Sequence, residues 1–237
     1  MCALAAACSA APEESSASDP PRPSVKPLGR PRCQAPAGVS NAPSTIEQSV
    51  QLLNALPKPT NVACFVESLA RPLVVYASSS EFSAQPALSS VSPRLFIKLG
   101  GLWLSVVVAG ESSYLMEFGQ LIGADERRSL KGELLLPIAE AVPPSAPFDR
   151  VRYQNGTLCG LCHRDEQRDL SVDYAAAFAS EALRPRPDTR VGLSALRLEN
   201  ELCDWTRERE RCEMLSAVFD GGEVVEGPFP DAMPTFF

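Results

Sequence analysis

Between positions 61 and 153 the chain breaks into seven short apolar runs, at 62–69, 73–77, 94–99, 102–108, 114–118, 130–137 and 151–153, with Gly, Ser and Pro between them. Their β-branched and aromatic residues suit pleated strands. Gly100-Gly101, between two of the runs, supplies the backbone freedom of a tight hairpin. Strands this short and this closely spaced pair with near neighbours. They predict a mainly β fold, an antiparallel β-sandwich or jelly-roll-like domain.

Helical signals flank the strands. Ser44-Thr45-Ile46-Glu47 reads as a capping box, and Ile46, Val50 and Leu53 follow at helical spacing until Pro57 ends the run. Beyond the strands, 174–183, 194–203 and 208–219 carry helical periodicity, with Pro185 and Pro187 marking a break. The segment 148–153 reads as extended, and Asn155-Gly156 as a turn. The expected organisation is a short helix plus β-sandwich over 44–158, and a small helical appendage over 159–237 packed on the sandwich.

An apolar content of 45% is enough for a core, and the net charge of −7 lacks the concentrated Lys and Arg that phosphate binding needs, so no nucleic-acid partner is expected. The longest candidate for a membrane span, 99–109, contains two glycines and reads as strand. Residues 9–43 are Ala, Pro and Ser with scattered charges, a composition expected to form a disordered linker. Eight cysteines suit an oxidising compartment. Met1-Cys2-Ala3-Leu4-Ala5-Ala6-Ala7-Cys8 resembles the end of a bacterial lipoprotein signal peptide, although Leu4 lies one place early and no charged region precedes it. That resemblance implies a signal remnant at 1–8, lipid on Cys8, and a protein tethered in the bacterial periplasm or at the cell surface through the lipid anchor alone. The plain alternative is an Ala-rich tail with an incidental cysteine.

The chemistry converges on one place. The only histidine, His163, directly follows Cys162 and completes Cys159-Gly160-Leu161-Cys162-His163. A hydrolytic Ser-His-Asp or Cys-His site would have only His163 to draw on, and multi-histidine metal sites cannot be assembled from one imidazole. Four readings of the segment stay open: covalent haem, a short Cys159–Cys162 disulfide, a zinc site with thiols from elsewhere, and a thioredoxin-like redox pair, for which no βαβ context is found. Cys203 and Cys212, around Asp204-Trp205, read as a disulfide joining two helices; Cys33 and Cys64 are one candidate for a second bridge, a pairing that spacing alone does not decide.

The five-residue spacing is similar to the haem-attachment motif of c-type cytochromes, though the resemblance ends with the motif. It implies haem c bound through Cys159 and Cys162, His163 as the proximal iron ligand, and a role in electron transfer or redox sensing with a redox partner protein. Met233-Pro234 is similar to the context of the second axial methionine in those proteins, but the following helix is missing here. Asp165, Glu166, Asp169 and Asp173 would guide a basic partner, or form a solvated face. The competing expectation is a cofactor-free, disulfide-stabilised binding or structural lipoprotein of the cell envelope.

Overall fold

The computed structural model describes residues 32–123 and 126–236. Helix α1 (Ile46–Ala55) starts where Thr45 Oγ1 accepts the Gln48 N–H (3.1 Å) and Gln48 Oε1 accepts the Ser44 N–H (2.8 Å). The N-cap is thus Thr45, one residue after the expected Ser44, and Gln48 reaches back past it to the Ser44 N–H, a variant of the expected box. The run 62–69, expected as a strand, is helix α2 (Val62–Ser68), opened by Asn61, whose side chain accepts the Cys64 N–H (2.7 Å). Six of its seven residues are buried, so it lacks the polar face by which helical periodicity shows in sequence.

The strands follow as β1 (Leu73–Ser78), β2 (Arg94–Leu99), β3 (Leu102–Val107), β4 (Leu115–Ile122) and β5 (Arg128–Leu135), a meander with antiparallel neighbours. Gly100 turns the β2–β3 hairpin in the left-handed region (φ 60°). A short helix α3 (Ala146–Arg150) stands where extended chain was expected, with Pro147 in its first turn. Then come β6 (Arg152–Tyr153), β7 (Gly156–Thr157), β8 (Gln167–Arg168), β9 (Phe178–Glu181), β10 (Arg190–Val191), α4 (Leu193–Glu201), α5 (Arg209–Phe219) and β11 (Val224–Glu226). The segment 174–183, read as helical, contributes β9, because pairing with β5 and β8 decides the conformation of an Ala-rich stretch with no strong preference of its own.

Nine strands join in one sheet, ordered β10-β1-β2-β3-β4-β5-β9-β8 with β11 parallel to β1. The chain therefore adopts a sheet-dominated, mostly antiparallel fold with small helical parts. The layer packed on the sheet is helical, in the place a sandwich gives to its second sheet. Leu95, Ile97, Leu104, Val106, Met116 and Phe118 face that layer and share one core with α1, α2, α4 and α5. The opposite face carries Tyr76, Phe96, Trp103 and Leu121, covered in part by Phe229 and Met233 near the C-terminus. Alternation along each strand sends these two sets to opposite sides.

Disulfides join Cys33 to Cys64 and Cys203 to Cys212. The first fastens the end of the Ala/Pro/Ser-rich segment to α2, and the Ala70 N–H donates to Asn41 O (2.8 Å) beside it. Chain-entropy scaling, with separations of 31 and 9 residues, sets the expected order of their contributions. Replacing Cys33 and Cys64 by Ser should cost about 3.5 kcal/mol in denaturant unfolding, and replacing Cys203 and Cys212 about 2.5 kcal/mol. The reverse order would show that the 33–64 link closes a loop already ordered without it.

Candidate functional site

The Cys159-to-His163 segment is held by local chemistry before it meets the sheet. The β6–β7 hairpin leads into a single 3₁₀ turn (Leu158–Leu161), entered at Thr157, whose Oγ1 accepts the Gly160 N–H (3.3 Å). The Glu166 carboxylate returns to accept the Thr157 N–H (2.8 Å) and the Thr157 hydroxyl. A Cβ at Gly156 or Gly160 would lie 2.2 or 2.8 Å from that carboxylate, so a side chain at either position would push Glu166 off Thr157. The His163 N–H donates to Cys159 O (2.8 Å), which places the imidazole one turn beyond the first thiol.

The imidazole then meets the sheet. His163 Nδ1 lies 2.8 Å from the Glu181 carbonyl at the end of β9, and 3.3 Å from Lys131 Nζ on β5. A carbonyl oxygen only accepts, so the short contact puts the proton on Nδ1. The Lys131 contact then sets donor against donor, and Lys131 is satisfied by Ser129 Oγ (2.8 Å) and the same Glu181 carbonyl (3.0 Å). Burial, reinforced by the Lys131 charge, pushes the His163 pKa down to about 3. Burial likewise lowers Lys131 to about 8. At neutral pH His163 is neutral, with a lone pair on Nε2 that no hydrogen bond engages among the described residues. This is the arrangement by which proteins orient an imidazole toward a metal.

Beside it opens a cavity of about 250 Å³ on the sheet face away from the helices, whose lining includes His163, Cys159, Cys162, Trp103 and Met233. Its floor follows the sheet register: Trp103 pairs with Gly119, and Gly119 with Lys131. Gly119 leaves the space between the indole and the lysine unfilled; a Cβ there would meet nothing nearer than 3.7 Å. Deeper polar groups are spent internally, with Arg94 bonded to Ser83, Ser105 and Glu117 and lying over Phe96. Exposed Phe82 (76%) and Leu158 (52%) also belong to the lining, apolar surface that a flat apolar ligand would cover.

Cys159 and Cys162 are not bonded to each other, whereas Cys33, Cys64, Cys203 and Cys212 are all in disulfides. Among the described residues no group of three or more His, Cys, Asp or Glu is placed to hold a metal ion, so the zinc reading finds no further thiols there. Burial pushes the Cys159 thiol up to about 11, opposite to the activation a redox pair needs. The motif stands on a hairpin and a 3₁₀ turn instead of a strand–helix junction. Met233 is buried with Phe96, Trp103 and Phe229 on the wall of the same cavity. Cys8 lies outside the described residues.

Sequence reasoning missed Lys131, the Glu181 carbonyl, Gly119 and Trp103, and it read Glu166 as part of an acidic surface where its carboxylate instead accepts from Thr157. The one signal was Lys131-Gly132-Glu133 set within the apolar run 130–137, charges on a strand whose other face is core. Comparison with protein-family models, with curated proteins and with solved structures finds no match to this chain.

In the metal-free chain the His163 ring signals in NMR should not titrate from about pH 7 down to about 4.5, where a free imidazole is half protonated near 6.5. Because the unfolded chain takes up that proton first, stability should fall as pH drops from about 6.5 toward 3, and His163→Gln should flatten this part of the profile. A ring midpoint near 6.5 would contradict the buried, Nδ1-protonated arrangement.

Proposed function

We propose that the chain is an extracytoplasmic bacterial lipoprotein, anchored through lipid on Cys8, that carries one haem c on Cys159 and Cys162 with His163 as proximal ligand and works in electron transfer or redox sensing. One observation carries this reading. Among six described cysteines, the two closest in sequence are the two left as thiols, and they share a cavity with an imidazole whose free nitrogen is Nε2.

The residues present fit the group. Thioether attachment needs two unpaired thiols at this spacing, iron ligation needs a neutral imidazole, and the macrocycle needs apolar walls, here Phe96, Trp103, Phe229 and Met233. The cavity lies just under the usual range for small-ligand sites, about 300–1,000 Å³, and its exposed apolar lining extends the surface available to a flat ligand. When bound, haem supplies an iron that accepts and releases single electrons.

The protein's own groups set the conditions. Glu181 O holds the proton on His163 Nδ1 and fixes the ring, while burial, reinforced by the Lys131 cation, keeps a second proton off Nε2. The 3₁₀ turn spaces the two thiols, and Glu166 locks its entry. Leu158 and Leu161, both largely exposed, flank the cysteines as an apolar rim at which a redox partner protein would approach. Met233 is the sulfur candidate for the second axial position; an open position there would instead suit small-ligand sensing.

Expressed with a signal peptide in a host with c-type maturation machinery, the protein should show a Soret band that survives denaturation and is lost in Cys159→Ser/Cys162→Ser. Gly119→Leu should reduce haem loading by filling the floor while leaving cooperative unfolding and both disulfides intact. Met233→Ala should lower the reduction potential if its sulfur is the second ligand, and an unchanged potential would assign an open position. A colourless protein whose mass shows only disulfides would leave the cofactor-free envelope module as the function.

A further inference from the structure

We infer that Trp103 and Arg184 form a carboxylate-binding end of the cavity and take the propionate groups of the haem; this rests on the haem reading above. Both residues line the cavity. Trp103 is 6% exposed, its ring stacked on Phe229 at 4.3 Å, and its Nε1–H is buried with no hydrogen-bond partner among the described residues. The Arg184 Nε–H is buried and unpartnered in the same way. An indole and a guanidinium are donors only, so an acceptor oxygen alone can satisfy them. Among the described residues Arg184 has one ion pair, Nη1 to Asp231 at 3.8 Å, and that carboxylate is fully exposed, so the pair holds the guanidinium weakly.

The other cations of the cavity are not available in this way. Arg94 is engaged by Ser83, Ser105 and Glu117, and Lys131 by Ser129 and the Glu181 carbonyl. The unspent donors therefore sit on the side of the cavity formed with the C-terminal segment. Phe229 of that segment covers Trp103, and Arg184 exchanges backbone hydrogen bonds with it, from its N–H to Pro234 O and from the Phe236 N–H to its own carbonyl, both 2.9 Å.

Their spacing from the histidine follows from the sheet. Arg184 is three residues beyond Glu181, whose carbonyl holds His163, an extended distance of about 10 Å. Trp103 lies two strand spacings from Lys131 through Gly119, also about 10 Å. Both donors thus line the same cavity as the imidazole, each about two strand spacings from a residue that touches it, Glu181 or Lys131. Charged acceptors on buried N–H donors make strong hydrogen bonds, which esterification would weaken.

The test uses the full metal-free chain titrated with iron protoporphyrin IX and with its dimethyl ester, read by the Soret band. The free acid should bind at least about tenfold more tightly than the ester. Trp103→Phe with Arg184→Met should bring that ratio close to one, whatever the change in overall affinity from altering a wall of the cavity. Equal binding of acid and ester by the unmodified chain would overturn the inference while leaving the haem reading intact, and needs no variant to fold. If neither porphyrin binds, this inference falls, while the haem reading stands or falls on the Soret band of the matured protein.

Discussion

The site depends on one backbone oxygen. The Glu181 carbonyl, at the last residue of β9, accepts both the Lys131 ammonium and the His163 Nδ1–H. Through it the loop carrying the cysteines is fastened to the sheet, the imidazole is fixed in one tautomer, and a buried lysine finds an acceptor. A side-chain carboxylate in that place would pair with Lys131 and raise the proton affinity of the ring. A carbonyl carries no full charge, so burial, reinforced by the Lys131 cation, outweighs its pull and the imidazole stays neutral.

This arrangement is placed on a sheet with two unlike faces. One is ordinary core, with Leu and Val side chains meeting four helices. The other holds Arg94, Glu117 and Lys131 in or beside an apolar cavity, a costly way to build a wall unless the cavity has work to do. Burial opposes the charge on both Arg94 and Lys131 and raises the Glu133 pKa as well. The disulfides act away from this face: Cys33–Cys64 fixes the chain entry to α2, and Cys203–Cys212 ties α5 to the segment after α4. The scaffold is braced on the helical side, and the charges are concentrated on the cavity side.

Much of this was readable where the signal is local. The hairpin at Gly100-Gly101, the α5 periodicity and the nine-residue spacing of Cys203 and Cys212 are contained in short windows, and each has its counterpart in the structure. The capping box slipped by one residue because Ser44 and Thr45 are both able caps, and Gln48 chose between them. The run 62–69 was misread since a helix buried on nearly every side shows no periodicity. Lys131 was invisible as a site residue for another reason: it meets His163 only through the register of β5 with β9 and the return of a loop 32 positions later. Non-local register cannot be seen in a window of sequence. For the same reason Gly119 reads as an incidental glycine until Trp103 and Lys131 are known to stand on either side of it.

The most direct measurement is the mass of the tryptic peptide 153–164 from protein matured in an export-competent host. It contains Cys159, Cys162 and His163 and no other cysteine. The account predicts that this peptide carries one haem joined through both sulfurs and absorbs in the Soret region after separation. A peptide lighter than its free dithiol by two hydrogens, with Cys159 bonded to Cys162 and no chromophore, would contradict it.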